Sequence, residues 1–375
     1  MSLGGREALK RVANSFRGFF GMGEVVFGED ARRTRGDESH FSGPRRRRGR
    51  SDTSGTSDPT MHIPDGFLDV KTAIAAATLA ATGLGVALRQ ANRELPPRRV
   101  PLLGLGAAFV FAAQMVNFPV AGGTSGHLIG GALIAALLGL PAAVIVMSTV
   151  LIAQCFLFAD GGVTALGANG FNMAVVAPAA GLCAFRLVSR ILPGQRGQVA
   201  AMAFAGWCST VAAALACAGQ LAWSGTVGWS VALPAMTGIH MVIGLGEGAI
   251  SALAFYAVAR ARPELTSTVL PTGEDNGTRG LVRYGLLASL GVALFAAPFA
   301  CPWPDGLEAV AAKLDFEHAA REAAPAPMPD YVFPWIGNEG LATAVAGVLG
   351  ALVVFGLAVL LSRVVVRDPA KSPEA

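Results

Sequence analysis

The chain has 375 residues, of which 53% are hydrophobic and only 14% charged, and its formal net charge at pH 7 is +4. Soluble globular chains contain about 25% charged residues, so this composition excludes an ordinary soluble domain and indicates a membrane protein. Most of the five cysteines lie inside apolar runs and none forms a CxxC pair, so we expect small buried side chains rather than disulfides or thiolate ligands.

Residues 1–60 differ from the rest of the chain, because they hold 12 Lys or Arg and 8 Asp or Glu and no apolar run long enough to be an export signal or a span. We expect this basic extension to be disordered. The simplest interpretation is that Met61 is the true first residue and that residues 1–60 reflect a mis-assigned start. A real extension that is removed by processing is the alternative.

The remainder of the chain contains nine apolar runs that can form membrane-spanning helices. They are 70–88, 101–117, 125–139, 141–158, 170–188, 198–221, 235–259, 282–300 and 341–362. A spanning helix needs about 20 mostly apolar residues, so the third run is short and can be partly re-entrant. Pro141 follows it closely, which predicts that the third and fourth runs form a tight helical pair.

The charges of the loops predict the orientation of these spans. Arginines cluster in the loops near residues 89–99, 186–196 and 260–283 and in the C-terminal tail, whereas the opposite loops contain only Lys313 and Arg321. Basic loops stay on the cytoplasmic side of a membrane. We therefore predict a multi-pass protein of the cell inner membrane, with Met61 on the outer face and the C-terminus in the cytoplasm.

The segment MHIPDGFL, which begins at Met61, is the first candidate site. If Met61 is the first residue, its amine, the His62 main-chain nitrogen and the His62 ring can close fused chelate rings on one metal ion. Planar nitrogen donors suit Ni(II) or Cu(II), and Co(II) less strongly. The alternative is an ordinary helix lead-in, with Asp65 or Asp69 as the N-cap.

A second candidate site is the glycine-rich break from Asn117 through Ser125 to His127. Irregular backbone at membrane depth is tolerated only where it is buried in protein or lines a cavity. We expect His127 to open the next helix with its ring directed into such a cavity, where an ionisable residue marks a functional site. The alternative is a histidine that is hydrogen-bonded to a nearby carbonyl.

Two further motifs carry polar groups into apolar runs. Asn169 and Asn172 are spaced so that one helical face can present both, and we expect them to fix loops or a histidine ring rather than to bind metal directly. His240 and Glu247 lie on one face of a helix. They can pair with each other or with neighbouring helices, and a structural role and a role in the transport path remain equal alternatives.

The motifs MHIPDGFL, GGTSGHL, DGGVTALGANGFNM and GIHMVIGLGEG, in this order, resemble the CbiM/NikM family, the substrate-specific membrane components of energy-coupling factor transporters for cobalt and nickel. The resemblance implies an all-α, seven-helix bundle over residues 61–262. It also implies a square-planar site of four nitrogens: the Met61 amine, the His62 main-chain nitrogen, and the rings of His62 and His127.

The end of the chain resembles a second family through its PDGLE sequence at residues 304–308. Such two-helix proteins accompany the first family, separately or fused to it, and this chain looks like the fused form. We therefore divide it into residues 61–262, a cytoplasmic linker at 263–280, and a PDGLE-type region with two spans at 281–375.

Uptake of Ni(II) or Co(II) is the predicted function, and the ion is the transported substrate rather than a tightly bound cofactor. The sequence lacks a GxxxxGK[ST] nucleotide loop, so the resemblance implies separate ATPase subunits and a membrane coupling (T) subunit as partners, and nucleic acid is not among them. An ion-coupled secondary transporter, with Glu247 carrying protons, is the alternative. A membrane-embedded metalloenzyme is less favoured, because HExxH is absent.

Overall fold

The computed structural model describes residues 62–263 and 276–366. The predicted extension at residues 1–60, Met61 itself, most of the predicted linker and the tail beyond residue 366 lie outside the described residues. The helices are α1 (Val70–Glu94), α2 (Val100–Gln114), α3 (Gly131–Leu138), α4 (Leu140–Phe158), α5 (Leu166–Ile191), α6 (Gly194–Trp223), α7 (Trp229–Ala261), α8 (Asn276–Phe295), α9 (Gly306–Lys313) and α10 (Glu339–Val365).

The prediction of an all-α, multi-pass membrane protein is confirmed. Within the described residues, seven helices are long and apolar enough to cross a membrane, and they correspond to α1, α4, α5, α6, α7, α8 and α10. The predicted spans 101–117 and 125–139 correspond to the shorter helices α2 and α3, of 15 and 8 residues. The structure therefore contains helices at all nine predicted positions, although two of them are short.

The predicted third span begins later than expected. Strand β1 (Phe118–Val120) pairs antiparallel with strand β2 (Thr124–Gly126), and this short hairpin occupies the start of the predicted span. Helix α3 begins only at Gly131, after Gly130 has turned the chain with φ +80°. The predicted tight pair of helices is present, because Gly139 at φ +91° separates α3 from α4 and Pro141 lies in the first turn of α4.

Small residues allow the helices to approach closely. A Cβ added to Gly206 on α6 would lie 3.0 Å from the Cα of Gly248 on α7, and a Cβ on Gly248 would overlap the carbonyl of Ala203. Lipid provides no hydrophobic drive for helix association, so close backbone packing of this kind holds membrane bundles together.

The C-terminal helices pack on the first region rather than forming a separate body. Gly104 on α2 faces Phe355 and Val359 on α10, and Gly350 on α10 faces the ring of Phe111 on α2. The PDGLE sequence itself forms the start of α9. The Asp305 carboxylate accepts hydrogen bonds from the first-turn N–H groups, and Glu308 accepts one from the N–H of Asp305, which is a capping box.

Candidate metal centre

The segment from His62 to Leu68 runs into the protein before α1 begins. His62, Ile63 and Phe67 are buried, and Phe67 packs against Phe316 of the C-terminal region with ring centroids 5.1 Å apart. Gly66 adopts φ +95°, a left-handed conformation that glycine takes without strain, and this turns the segment back towards α1. Asp69 is the N-cap of α1.

The first turn of α5 and the loop before it hold the main chain of this segment. The Asn169 side chain accepts a hydrogen bond from the N–H of Ile63 at 3.0 Å and donates one to its carbonyl at 3.1 Å. The N–H of Gly162 donates to the same carbonyl at 2.9 Å. Buried main-chain groups need such partners, so Asn169 fixes the residue next to His62.

The Asp65 carboxylate fixes the other end of the segment. It accepts hydrogen bonds from the N–H groups of Val163 and Thr164 at 3.1 and 2.7 Å, and a further one from the Thr164 hydroxyl. Asp65 is therefore a clamp between the N-terminal segment and the loop rather than a helix cap.

The rings of His62 and His127 face each other across a small cavity. Their centroids are 6.1 Å apart and their planes are tilted by 50°. The cavity measures about 80 Å³, and Asn172, Met173 and His240 also line it. Burial and the neighbouring His62 lower the pKa of His127 to about 4, so at neutral pH its ring is uncharged and can bind a cation.

His127 does not open a helix, contrary to the sequence-based expectation. It lies four residues before α3, in a segment whose main chain is held by side chains of other helices. Both carboxylate oxygens of Glu247 accept main-chain N–H groups, from Ile129 at 2.6 Å and from Gly130 at 3.0 Å. The carbonyl of Ile129 accepts a hydrogen bond from Gln114 at 3.0 Å. Glu247 on α7 thereby positions the turn that follows His127.

The remaining predicted polar residues inside the helices have separate partners. Asn172 and Gln220 form two reciprocal amide hydrogen bonds at 2.8 Å each. The Nδ1 atom of His240 lies 2.8 Å from the carbonyl oxygen of Met236, one turn earlier on α7. His240 therefore does not pair with Glu247, and its ring contributes to the wall of the cavity.

Asp160 and Tyr331 are site residues for which the sequence indicated no role, although Asp160 is the first residue of the motif DGGVTALGANGFNM. Asp160 Oδ1 lies 2.8 Å from His62 Nδ1, and the Tyr331 hydroxyl donates to Asp160 Oδ2 at 2.6 Å. Burial alone would raise the pKa of Asp160. The neighbouring His62 and the hydrogen bonds from His62 and the Tyr331 hydroxyl outweigh burial, so the pKa of Asp160 lies below its usual value. Burial and the charge of Asp160 raise the pKa of Tyr331 well above its usual value.

The C-terminal region covers the site from the side of the hairpin. The Ser125 hydroxyl donates to the Trp303 carbonyl at 2.7 Å, and the Asn117 carbonyl accepts the N–H of Cys301 at 2.9 Å. The Ser125 side chain and the main chain of Asn117 thus contact the C-terminal region. The N–H of Arg321 donates to the Asp65 carbonyl at 2.8 Å, so the two parts of the chain share the site.

A second, larger cavity of about 340 Å³ lies between the two regions, and carboxylates are prominent in its wall. Its polar lining includes Asn117, Asp160, Asp305, Glu308, Asp330 and Tyr331. Asp305 borders both cavities. Burial and the neighbouring Glu308 raise the pKa of Asp305 well above its usual value. Among the described residues, no group of three or more His, Cys, Asp or Glu side chains is arranged to hold a metal ion.

Comparison with known proteins gives matches over both regions. The family described as cobalt uptake substrate-specific transmembrane region, CbiM, matches residues 62–265, and the PDGLE domain matches residues 279–367. A putative fused nickel transport protein NikMN from Archaeoglobus fulgidus is 35% identical over 308 residues, covering 81% of this chain and 98% of that protein. A fused nickel transport protein NikMN from Rhodobacter capsulatus is 32% identical over 335 residues, covering 79% and 96% respectively. The crystal structure of a truncated transition metal transporter is 37% identical and covers 53% of this chain and 99% of that one, with a TM-score of 0.49.

Proposed function

Because the chain belongs to the CbiM family of cobalt-uptake transmembrane regions and carries a PDGLE domain, we propose that it is the substrate-binding subunit of an ATP-driven transporter that takes up Ni(II) or Co(II). The relatives named as fused nickel transport proteins support nickel. ATPase subunits and a membrane coupling (T) subunit of the energy-coupling factor type would complete the transporter. In this proposal residues 61–262 bind the metal, 263–280 form a linker, and 281–375 form the PDGLE-type region.

The observation that carries the proposal is the arrangement of two histidine rings, the buried His62 and the partly buried His127, around one cavity. In this proposal His62 and His127 supply two ring donors, and the main-chain nitrogen of His62 is the third; the hydrogen bonds that hold the neighbouring Ile63 support this assignment. With the amine of Met61 as the first residue of the mature chain, the donors number four and are all nitrogen. Planar nitrogen donors favour Ni(II) over Co(II) only modestly, so both ions remain candidate substrates.

The fused chelate sets a requirement on the His62 ring. A chelate ring through the main-chain nitrogen, Cα, Cβ and Cγ of His62 can close only at Nδ1, because Nε2 points away from the backbone. Nδ1 is the atom that lies beside Asp160 in this structure. Metal binding in this mode therefore rotates the His62 ring, so that Nδ1 faces the ion and Nε2–H donates to Asp160. Carboxylates commonly hold metal-binding histidines in this way.

Nickel titration of purified protein by calorimetry tests the site. His62→Ala and His127→Ala should each abolish high-affinity binding, whereas His318→Ala, which removes an exposed histidine, should bind like wild type. Insertion of one residue between Met61 and His62 should weaken nickel binding as much as either substitution, because it changes the sizes of the chelate rings while every side chain remains. Normal nickel binding by both His62→Ala and His127→Ala would falsify the site. N-terminal sequencing of the mature protein tests whether Met61 carries the free amine.

Metal uptake in cells that lack the ATPase subunits separates the ATP-driven transporter from an ion-coupled one. Loss of uptake supports the proposal, and full retention overturns it. The hydrogen bonds from Ile129 and Gly130 to both oxygens of Glu247 favour a structural role for this carboxylate over proton transport. The proposed location is the cell inner membrane, with Met61 on the outer face and the C-terminus in the cytoplasm, which reporter fusions at the C-terminus can test.

A further inference from the structure

The C-terminal region reaches the metal centre at one hydroxyl group. Tyr331 lies between α9 and α10, and its hydroxyl donates to Asp160 Oδ2 at 2.6 Å. The other oxygen of the same carboxylate lies 2.8 Å from His62 Nδ1. A continuous chain of hydrogen bonds therefore joins the C-terminal region to a ring that the proposed function assigns to the metal.

The surroundings hold Tyr331 in one place. Its ring stacks on Phe158 at the end of α4, with centroids 4.7 Å apart and planes 16° apart. The main chain reaches this position through two consecutive left-handed residues, Asp330 at φ +53° and Tyr331 at φ +59°. Non-glycine residues adopt this conformation only where the surrounding structure over-determines it.

Asp160 is held equally firmly on the side of the first region. It follows Ala159, which has φ +57°, directly after α4, and its N–H donates to the Gln154 carbonyl at 3.1 Å. The residue is 5% exposed. The main chain of Asp160 is thus held in place, and the Tyr331 hydroxyl and the His62 ring orient its carboxylate.

We propose that Tyr331 is a positioning residue for the metal centre, which acts through Asp160 to orient the His62 ring. This inference rests on the proposed function, because it needs His62 to be a metal ligand. In this structure His62 Nδ1 lies beside Asp160, and in the ring orientation that the proposed chelate requires, Nε2–H is the donor to the same carboxylate. The PDGLE-type region then contributes directly to metal affinity, besides covering the site.

Calorimetric titration with nickel chloride alone tests the inference in the full-length purified chain. Tyr331→Phe keeps the ring on Phe158 and removes only the hydroxyl, and we expect nickel to bind about tenfold more weakly, as is typical when the partner of a ligand is lost. The matched control is Tyr284→Phe on α8, because this tyrosine is 64% exposed, and wild-type affinity is expected. Thermal unfolding of both metal-free variants verifies that they fold.

A double-substitution cycle separates positioning from a general structural effect. If Tyr331 acts through Asp160, the variant that combines Tyr331→Phe with Asp160→Asn binds nickel no more weakly than Asp160→Asn alone. Losses that multiply, or wild-type affinity in Tyr331→Phe, would overturn the inference. His62→Ala separates the two proposals. Normal nickel binding by that variant defeats the assignment of His62 as a metal ligand, on which the proposed function rests. Loss of binding in His62→Ala together with wild-type binding in Tyr331→Phe defeats only the role of Tyr331.

Discussion

Gly162 is the position at which one added methyl group should release the N-terminal segment. A Cβ on this residue would lie less than 3.0 Å from the main-chain nitrogen of Asp65 and 2.5 Å from its carboxylate oxygen Oδ1, distances that real Cβ atoms do not reach. In Gly162→Ala the segment and the loop must therefore separate. The backbone of Asp65 cannot move aside without breaking the hydrogen bonds that join the two.

The expected loss follows from those hydrogen bonds. The N–H of Gly162 donates to Ile63 at 2.9 Å, and the N–H groups of Val163 and Thr164 donate to Asp65 at 3.1 and 2.7 Å. Each hydrogen bond contributes about 1 kcal/mol to the free energy of docking the segment, after a discount for the exposure of Asp65 to water. Loss of all three therefore weakens docking by about 3 kcal/mol. If metal binding requires the docked segment, nickel affinity falls about 100-fold, since 1.4 kcal/mol corresponds to about a factor of ten.

Gly170→Ala is the matched control, because it adds the same methyl group to the same chain segment where space is available. The nearest atom to its added Cβ is the Cβ of Ala80 at 3.5 Å, an ordinary contact. Nickel calorimetry and thermal unfolding in detergent should show wild-type affinity for Gly170→Ala and the large loss for Gly162→Ala. Nickel affinity within threefold of wild type in Gly162→Ala would refute the reasoning that docking of the segment builds the site.

Three further predictions concern the walls of the site. Glu247→Gln places an amide donor against the main-chain N–H groups before α3 and should cost about 1–3 kcal/mol of unfolding free energy; an unchanged unfolding midpoint would contradict this. Gly66→Ala should weaken nickel binding, because Gly66 has φ +95° and its added Cβ would overlap the Ala319 carbonyl. Gly123→Ala is the control and should bind nickel normally, because Gly123 has a similar φ of +76° but open space around it. Equal nickel affinities of the two variants would disprove the steric argument. Burial and the nearby His62 lower the pKa of His127 from 6.5 to about 4, so the unfolded chain binds more protons between these values, and the metal-free protein should lose stability as pH falls from 6.5 to 4. Unfolding midpoints measured across this range should fall more steeply for wild type than for His127→Asn, and parallel curves would argue against the assignment.

The sequence predicted the membrane fold well because the signal is local. Apolar runs have a length that the bilayer dictates, and each of the predicted runs contains a helix in the structure. The pair α3 and α4 was equally predictable, since Gly139 and Pro141 determine a break by their own backbone preferences.

The interior of the site was less predictable because its contacts join residues that are distant in the chain. Asp160 stands in a glycine-rich loop, where an aspartate usually indicates a turn, and only the folded chain brings it to His62, 98 residues away. Tyr331 is 171 residues from Asp160, so no local pattern could indicate the hydrogen bond. The start of α3 was misplaced for the same reason, because Glu247 on α7 holds the turn before it.

The interlocking of the two regions has a consequence for stoichiometry. Residues 264–275 connect the described parts in sequence, so each candidate metal centre is linked covalently to one C-terminal region. A short connection raises the effective concentration of a tethered partner to the order of millimolar. The contacts of Tyr331, Arg321 and Trp303 near the site add to the packing of α10 on α2, and the linkage makes all of these contacts intramolecular. Fusion thus keeps one C-terminal region for each candidate site, whatever the protein concentration.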